Sequence, residues 1–257
     1  MYIENNLQKK LTITGFLLPS FIGLFGFILL PALVTIILSL TDYDVLQHTL
    51  PNILAGKGPD FIGLENYTRL IQSGDMWASF LHTLYYMALY IPPVIVLSLF
   101  LATLLAQDFK GVRIYQTIFY LPVVSSWVAV AVLWQVILNG RWGMLNTILL
   151  LVGIDGPAWL TDRSWVFPGI AMAAVWKDVG YYVLIFLAGL KNINQTYYEA
   201  ARVDGSSRFQ EFCRITIPLM TPSIFLAIVM NIISSFQVFE AVAIMGDELR
   251  SYPTVVV

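Results

Sequence analysis

"YYEAARVDGSSRFQEFCRITIPLM", residues 197–220, interrupts a chain that is otherwise greasy for twenty residues or more on either side. Within it stand Glu199, Arg202, Asp204, Arg208, Glu211 and Arg214. Upstream, Ser164–Leu190 is apolar except for Lys177-Asp178 in its middle. Downstream, Ile215–Phe239 holds no Asp, Glu, Lys or Arg, and the apolar character persists to Gly246. About 20 apolar residues cross the hydrocarbon core of a bilayer. The stretch therefore reads as a charged connector between two membrane-spanning helices.

Three further runs pass the same test: Leu11–Thr41, Met76–Gln107 and Ile114–Gly140. The fold class that follows is all-α, a polytopic transmembrane helical bundle with five visible spans and a helix-turn-helix connector. Lys9-Lys10 ahead of the first run invite a signal-peptide reading. That run is about twice the length of an ordinary signal core and no Ala-x-Ala pattern follows it, so it is read as a retained helix. Trp142–Ile154, at 13 residues, is too short to cross and predicts an interfacial helix within a loop. Pro19, Pro31, Pro92-Pro93 and Pro122 lie within or at the ends of spans, where neighbouring helices satisfy the carbonyls they free.

Composition agrees. The 257 residues are 58% hydrophobic and 12% charged, with a mean hydropathy of +0.75, against about 45–50% apolar and about 25% charged in soluble domains. A net charge of −2 and no long basic tract give no reason to expect nucleic acid. One cysteine, Cys213, excludes an internal disulfide, and two distant histidines, His48 and His82, do not make a metal site. The positive-inside rule gives the orientation. With a cytoplasmic N-terminus, the inner loops hold Lys9, Lys10, Lys110, Arg113, Lys191, Arg202, Arg208 and Arg214, against Lys57, Arg69, Arg141, Arg163 and Arg250 outside. The connector is then cytoplasmic, and "GDELRSYPTVVV" (246–257) ends outside.

Within the connector, Thr196-x-x-Glu199 and Ser207-x-x-Gln210 both fit the capping box. They predict a helix over Tyr197–Val203, a left-handed turn at Gly205, and a second helix ending at Pro218. Ala200 and Ala201 would leave a surface of small side chains that another helix can approach closely. A plain solvated connector satisfies the same pattern.

Glu199-Ala200-Ala201, three residues, Gly205, nine residues, then Ile215-Thr-Ile-Pro218 resembles the EAA loop of ABC importer permeases, E-A-A, three, G, nine, I-x-L-P. Ile217 replaces the usual Leu, and Asn194 stands where proline is frequent. "FIGLENYTRLI" (61–71), "IYQTIFYLPVVSSWVAVAVLWQVILN" (114–139), "VWKDVGYYVLIFLAGLKNI" (175–193) and "SSFQVFEAVAIM" (234–245) look like the carbohydrate-uptake branch, with Glu240 where Asp is usual.

The resemblance implies an N-terminal helix and extracytoplasmic segment over 1–76 and a permease core over 77–257, with the EAA loop at about 191–218. It also implies a sixth helix beyond the outer loop, so that the chain reads as truncated at its C-terminus. Glu199, Ala200, Ala201, Gly205, Ile215 and Pro218 become ATPase-coupling residues. The implied partners are a second permease subunit, usually a different chain, a cytoplasmic ATPase dimer, an extracytoplasmic solute-binding protein, membrane lipid and a sugar. No cofactor is expected on this chain, and no catalytic residue: ATP and Mg belong to the ATPase. The chain has no G-x-x-x-x-G-K-[ST] loop, and Gly56-Lys57-Gly58 has the wrong spacing. The implied location is the bacterial or archaeal cell (inner) membrane.

For the solute path, Lys177 and Asp178 stand out, because an ionised group at mid-membrane costs about 2.5–3.5 kcal/mol on insertion scales. As sequence neighbours they do not face each other, so each needs its own partner. Trp176, Tyr181 and Tyr182, and Asn231, Gln237 and Glu240 on the fifth span, are the aromatic and polar candidates for binding a sugar. Packing explains the aromatics equally well. The alternative function is a secondary carrier that uses Lys177 and Asp178 for ion coupling. A membrane enzyme lacks paired carboxylates, a histidine cluster and a nucleophile motif.

Overall fold

The computed structural model describes residues 6–49, 58–107 and 110–246. Lys57, Arg250, Gly56-Lys57 and the 247–257 end, all used in the expectations above, lie outside them. Among the described residues every regular element is a helix. Four helices are long and apolar enough to cross a membrane, or five if one bent pair counts as a single span.

The chain divides into two units, Met1–Asp75 and Met76–Val257. In the first, α1 (Asn6–Leu24) passes through a π-turn at Phe25–Leu29 into α2 (Leu30–Ser39). The Asn66 amide donates to the carbonyls of Ser39 and Thr41, at 2.9 and 2.8 Å. This ties α3 (Glu65–Gln72) to the end of α2.

The second unit is built around α8 (Val166–Lys191), with 61% of its apolar window buried. The corresponding shares are 33% for α4 (Asp75–Leu105) and 22% for the last span. Lipid tails are as apolar as leucine, so membrane helices associate through close packing and interhelical hydrogen bonds. Gly180 and Gly189 allow that packing on α8. A Cβ on Gly189 would lie 2.5 Å from Ser223 Oγ and 2.8 Å from Met220 Sδ. On α4, Ser98 Oγ donates to the Val179 carbonyl at 3.1 Å.

The expected single span Ile114–Gly140 is instead two helices, α5 (Val112–Val124) and α6 (Trp127–Ile137), bent by 99°. Ser125 and Ser126 adopt extended backbone, and Ser126 Oγ accepts the Ala129 N–H at 3.4 Å as an N-cap. Apolarity set the length of this run, but the serine pair after Pro122 offered an alternative to the helix ladder. By contrast, α4 runs unbroken through Pro92-Pro93. The loop helix expected in Trp142–Ile154 is α7 (Met144–Leu151).

The helix expected to stop at Pro218 does not stop. Arg208–Phe236 is one 29-residue span, made of α10 (Arg208–Glu211), a π-turn at Phe212–Thr216 and α11 (Ile217–Phe236). Both π-turns sit just before a proline, Pro31 and Pro218. The Ile217 N–H reaches back to Phe212 O. Proline breaks a helix by lacking an N–H and by crowding the carbonyl four residues back. A π-turn changes the pairing there and lets the helix continue. Gln237, expected on this span, lies just past its end, and Glu240 opens a separate short helix, α12 (Glu240–Met245).

Candidate functional site

Lys177 and Asp178 do take different partners. Lys177 is only 6% accessible, and its Nζ donates to the Val123 carbonyl at 3.1 Å. It also stands 5.4 Å from the centre of the Trp127 ring. Val123 lies in the last turn of α5, where carbonyls have no partner within the helix. The Ser125 N–H takes one of these, Pro122 O, and Lys177 takes the next. A cation at a partly buried helix C-terminus gains up to ~2 kcal/mol. The hydrogen bond to Val123 O is part of that gain, and a desolvated cation–π contact adds about 2 kcal/mol. Together these offset the insertion cost of about 2.5–3.5 kcal/mol.

Asp178 looks the other way. Tyr90 Oη donates to its Oδ2 at 2.9 Å, and the Tyr90 ring stacks on Tyr86 at 5.5 Å. These groups open onto a cavity of about 390 Å³, lined by Tyr86, Tyr90, Trp127, Asp178, Gln237 and Glu240 among other residues, Ser234 included. Among the described residues its charged lining is two carboxylates, Asp178 and Glu240, with no Lys, Arg or His. Aromatic faces beside acceptor-rich polar groups suit a polyhydroxylated solute.

Of the candidate path residues, the cavity collects Asp178, Gln237 and Glu240. Trp176 packs edge-on against Trp134 at 6.0 Å, and Tyr181 Oη points at Met230 Sδ, 4.0 Å away. Tyr182 and Asn231 are buried, and the Asn231 amide donates to Ala227 O at 2.7 Å. Tyr86, Tyr90, Trp127 and Ser234 escaped the sequence reading. The i,i+4 spacing of Tyr86 and Tyr90 puts them on one face of α4, but nothing in the sequence says which face meets α8.

In the connector, α9 (Gln195–Val203) is capped by Asn194, whose side chain accepts the Thr196 N–H at 3.0 Å. The Thr196/Glu199 capping box is therefore not formed: Asn194 is extended and starts the helix two residues earlier, which places Glu199 past the N3 position. Gly205 has φ +78°, the left-handed turn expected of it. The Ser207/Gln210 box forms in both directions.

Arg202 then bridges α9 to Glu211, Nε to Oε1 at 3.0 Å and the second nitrogen to Oε2 at 3.4 Å. Tyr198 Oη lies 2.9 Å from Thr216 Oγ1. The hydrogen bond and charge of Glu211 push the Arg202 guanidinium above its ordinary value. Glu199, Ala200 and Gly205 are exposed, Ala201 and Ile215 half-buried, and Pro218 is exposed on the continuous span. The connector is thus a short helix braced onto the foot of the last span.

Gly205→Asp is expected to strain this turn by about 1–2 kcal/mol. With no atom within 4 Å of an added Cβ, the loss comes from backbone conformation alone. Gly205→Asn, which tolerates a positive φ better, should lose less; thermal unfolding of the two variants compares them.

Residues 67–251 match the family described as "Binding-protein-dependent transport system inner membrane component". The chain belongs to that family. It is therefore a permease of a binding-protein-dependent ABC importer, a multi-pass inner-membrane protein and not itself an enzyme. The permease is 37% identical over 90% of its length to the probable ABC transporter permease protein YesP of Bacillus subtilis, covering 72% of it. It is 30% identical over 95% of its length to the trehalose/maltose transport system permease protein MalF of Thermococcus litoralis, covering 81% of it. Among solved structures, a bacterial ABC transporter involved in the import of the acidic polysaccharide alginate matches with a TM-score of 0.75. The identity is 25%, with 93% of the permease and 79% of that chain covered.

Proposed function

We propose that this permease translocates a neutral sugar or polyol delivered by an external solute-binding protein, and that residues 191–218 couple it to a cytoplasmic ATPase dimer. The observation that carries the reading is the cavity beside α8. Among the described residues its charged groups are Asp178 and Glu240, and like charges repel strongly where water is scarce. Relatives are named for trehalose/maltose, for lactose and for sn-glycerol 3-phosphate. Of those three chemistries, the two carboxylates favour the neutral sugars over the phosphate.

In this reading 1–76 is the N-terminal helix with an extracytoplasmic segment, and 77–257 is the permease core. The N-terminus is cytoplasmic, and a second, different permease chain supplies the other half of the pore. Glu199, Ala200, Ala201 and Gly205 form the surface the ATPase grips, and Ile215 and Pro218 sit on the span that carries the movement inward. The secondary-carrier alternative gives way to the family assignment.

Two measurements test the proposal. ATPase should co-purify with the native chain from detergent-solubilised membranes and be lost from Glu199→Lys. Uptake by cells carrying the operational transporter should show radiolabelled maltose or lactose competing and sn-glycerol 3-phosphate not competing. Equal ATPase recovery by both chains would remove the coupling surface, and competition by the phosphate alone would remove the neutral substrate.

A further inference from the structure

We infer that Lys177 is a positioning residue rather than a solute ligand: its ammonium pins the break between α5 and α6 and thereby holds Trp127 in the wall of the Asp178 cavity. Several observations converge on this. Lys177 is buried, yet it is absent from the cavity lining that includes its neighbour Asp178. Its Nζ is spent on Val123 O, in the open last turn of α5. The same ammonium lies over the ring of Trp127, the first residue of α6. One cation therefore touches both sides of a 99° bend.

The break's other hydrogen bonds are local, with Val130 N–H on Ser126 O at 3.1 Å and Ser125 Oγ on Leu121 O at 3.4 Å among them. Ser125 N–H to Pro122 O spans 3.1 Å, and the Ser126 cap on Ala129 is long at 3.4 Å. One turn along the same face of α8, Gly180 brings the α5 backbone close at Phe119. Lys177 and Gly180 thus act together on the depth of α5 against α8, and Lys177 also reaches Trp127 where α6 departs, a helix held further along by Trp134 on Trp176 and by Gln135 Nε2 on the Ile244 carbonyl at 2.6 Å. Trp127 is the residue at the departure point, and it lines the cavity. The claim that this affects a solute rests on the cavity being the path proposed above; the claim about the break does not.

The test is amide hydrogen exchange on the full transporter, with its partner subunits, in lipid nanodiscs. The segment read is 121–130, compared between the native chain, Lys177→Met, Lys177→Arg and Lys177→Gln. Methionine matches the length of the stem without charge or donor, arginine keeps both, and glutamine keeps a donor only. Expected is exchange at Ser125, Ala129 and Val130 at least fivefold faster in Lys177→Met, within twofold of native in Lys177→Arg, and intermediate in Lys177→Gln. If the methionine variant is not recovered in membranes, the order native, arginine, glutamine carries the test.

Unchanged exchange in every recovered variant overturns the proposal, as does equal acceleration by arginine and glutamine. ATP hydrolysis by the same complexes gives a second readout, expected to follow the exchange order. No sugar is needed for either measurement, so their failure is distinct from failure of the substrate reading.

Discussion

Gly180→Val should be recovered from membranes at less than a tenth of the native yield. A Cβ at this position would meet the Phe119 carbonyl oxygen, lie 2.6 Å from the Phe119 carbonyl carbon and 3.1 Å from Tyr120 Cα. These are backbone atoms of α5, with no flexible tip that can swing aside. Nor can the two helices part cheaply, because Lys177 holds Val123 O of α5 one turn away and Ser98 of α4 holds the Val179 carbonyl of α8. Overpacking a core costs about 1–3 kcal/mol even when side chains can adjust. Here two helix backbones must separate, and ~1.4 kcal/mol already makes a tenfold change. Gly23→Ala is the control, since no atom lies within 4 Å of its added Cβ. Fluorescence-detected size exclusion of the two variants reads yield and monodispersity together. A well-folded Gly180→Val at native yield would show that the α5–α8 crossing is looser than described.

Arg202→Glu should lower uptake at least tenfold while the chain still inserts. The substitution places a second carboxylate against Glu211, which is buried with 8% of its side chain accessible. Since Arg202 itself is 62% accessible, its own pairing energy is screened, and the larger effect is the unpaired charge left on Glu211. Repulsion then pushes α9 off the foot of the last span, and under the coupling role proposed above a push on α9 no longer reaches that helix intact. The swap Arg202→Glu with Glu211→Arg restores opposite charges and should recover a substantial part of the uptake. Because α10 continues through the π-turn into α11, the brace acts on 29 residues of helix at once. If the single reversal transports normally, the brace is decoration. If the swap fails to rescue while Arg202→Ala is tolerated, the burial of Glu211 matters and the pair does not.

The legible parts of this protein were those governed by local or one-dimensional physics. Charge-free length located the spans, since the hydrocarbon core sets a minimum run of apolar residues whatever the neighbours do. Gly205 and the Ser207/Gln210 box were readable because each depends on backbone geometry within four residues. The spacing of Glu199, Ala200, Ala201, Gly205 and Pro218 carried the family, and residues 67–251 bear the family out. The adjacency of Lys177 and Asp178 was enough to require two different partners.

What those partners are, the one-dimensional pattern could not contain. Lys177 meets Val123 at a separation of 54 residues and Asp178 meets Tyr90 at 88, and only helix packing brings such groups together. The break at Ser125–Ser126 reads as unbroken apolarity until a cation is available to close the end of α5. Pro218 reads as a stop until the π-turn before it changes the hydrogen-bond pairing. Hydrophobicity is the same for a ring that walls the cavity and one that packs beside it, so residue type could not single out Trp127, which the sequence reading missed, over the candidate Trp176. Sequence by itself determined which segments are apolar and long enough to cross a membrane, because that depends on transfer from water. Tertiary structure alone decided which polar groups within the membrane answer one another, because that depends on distances set by how closely the glycines of α8 let its neighbours approach.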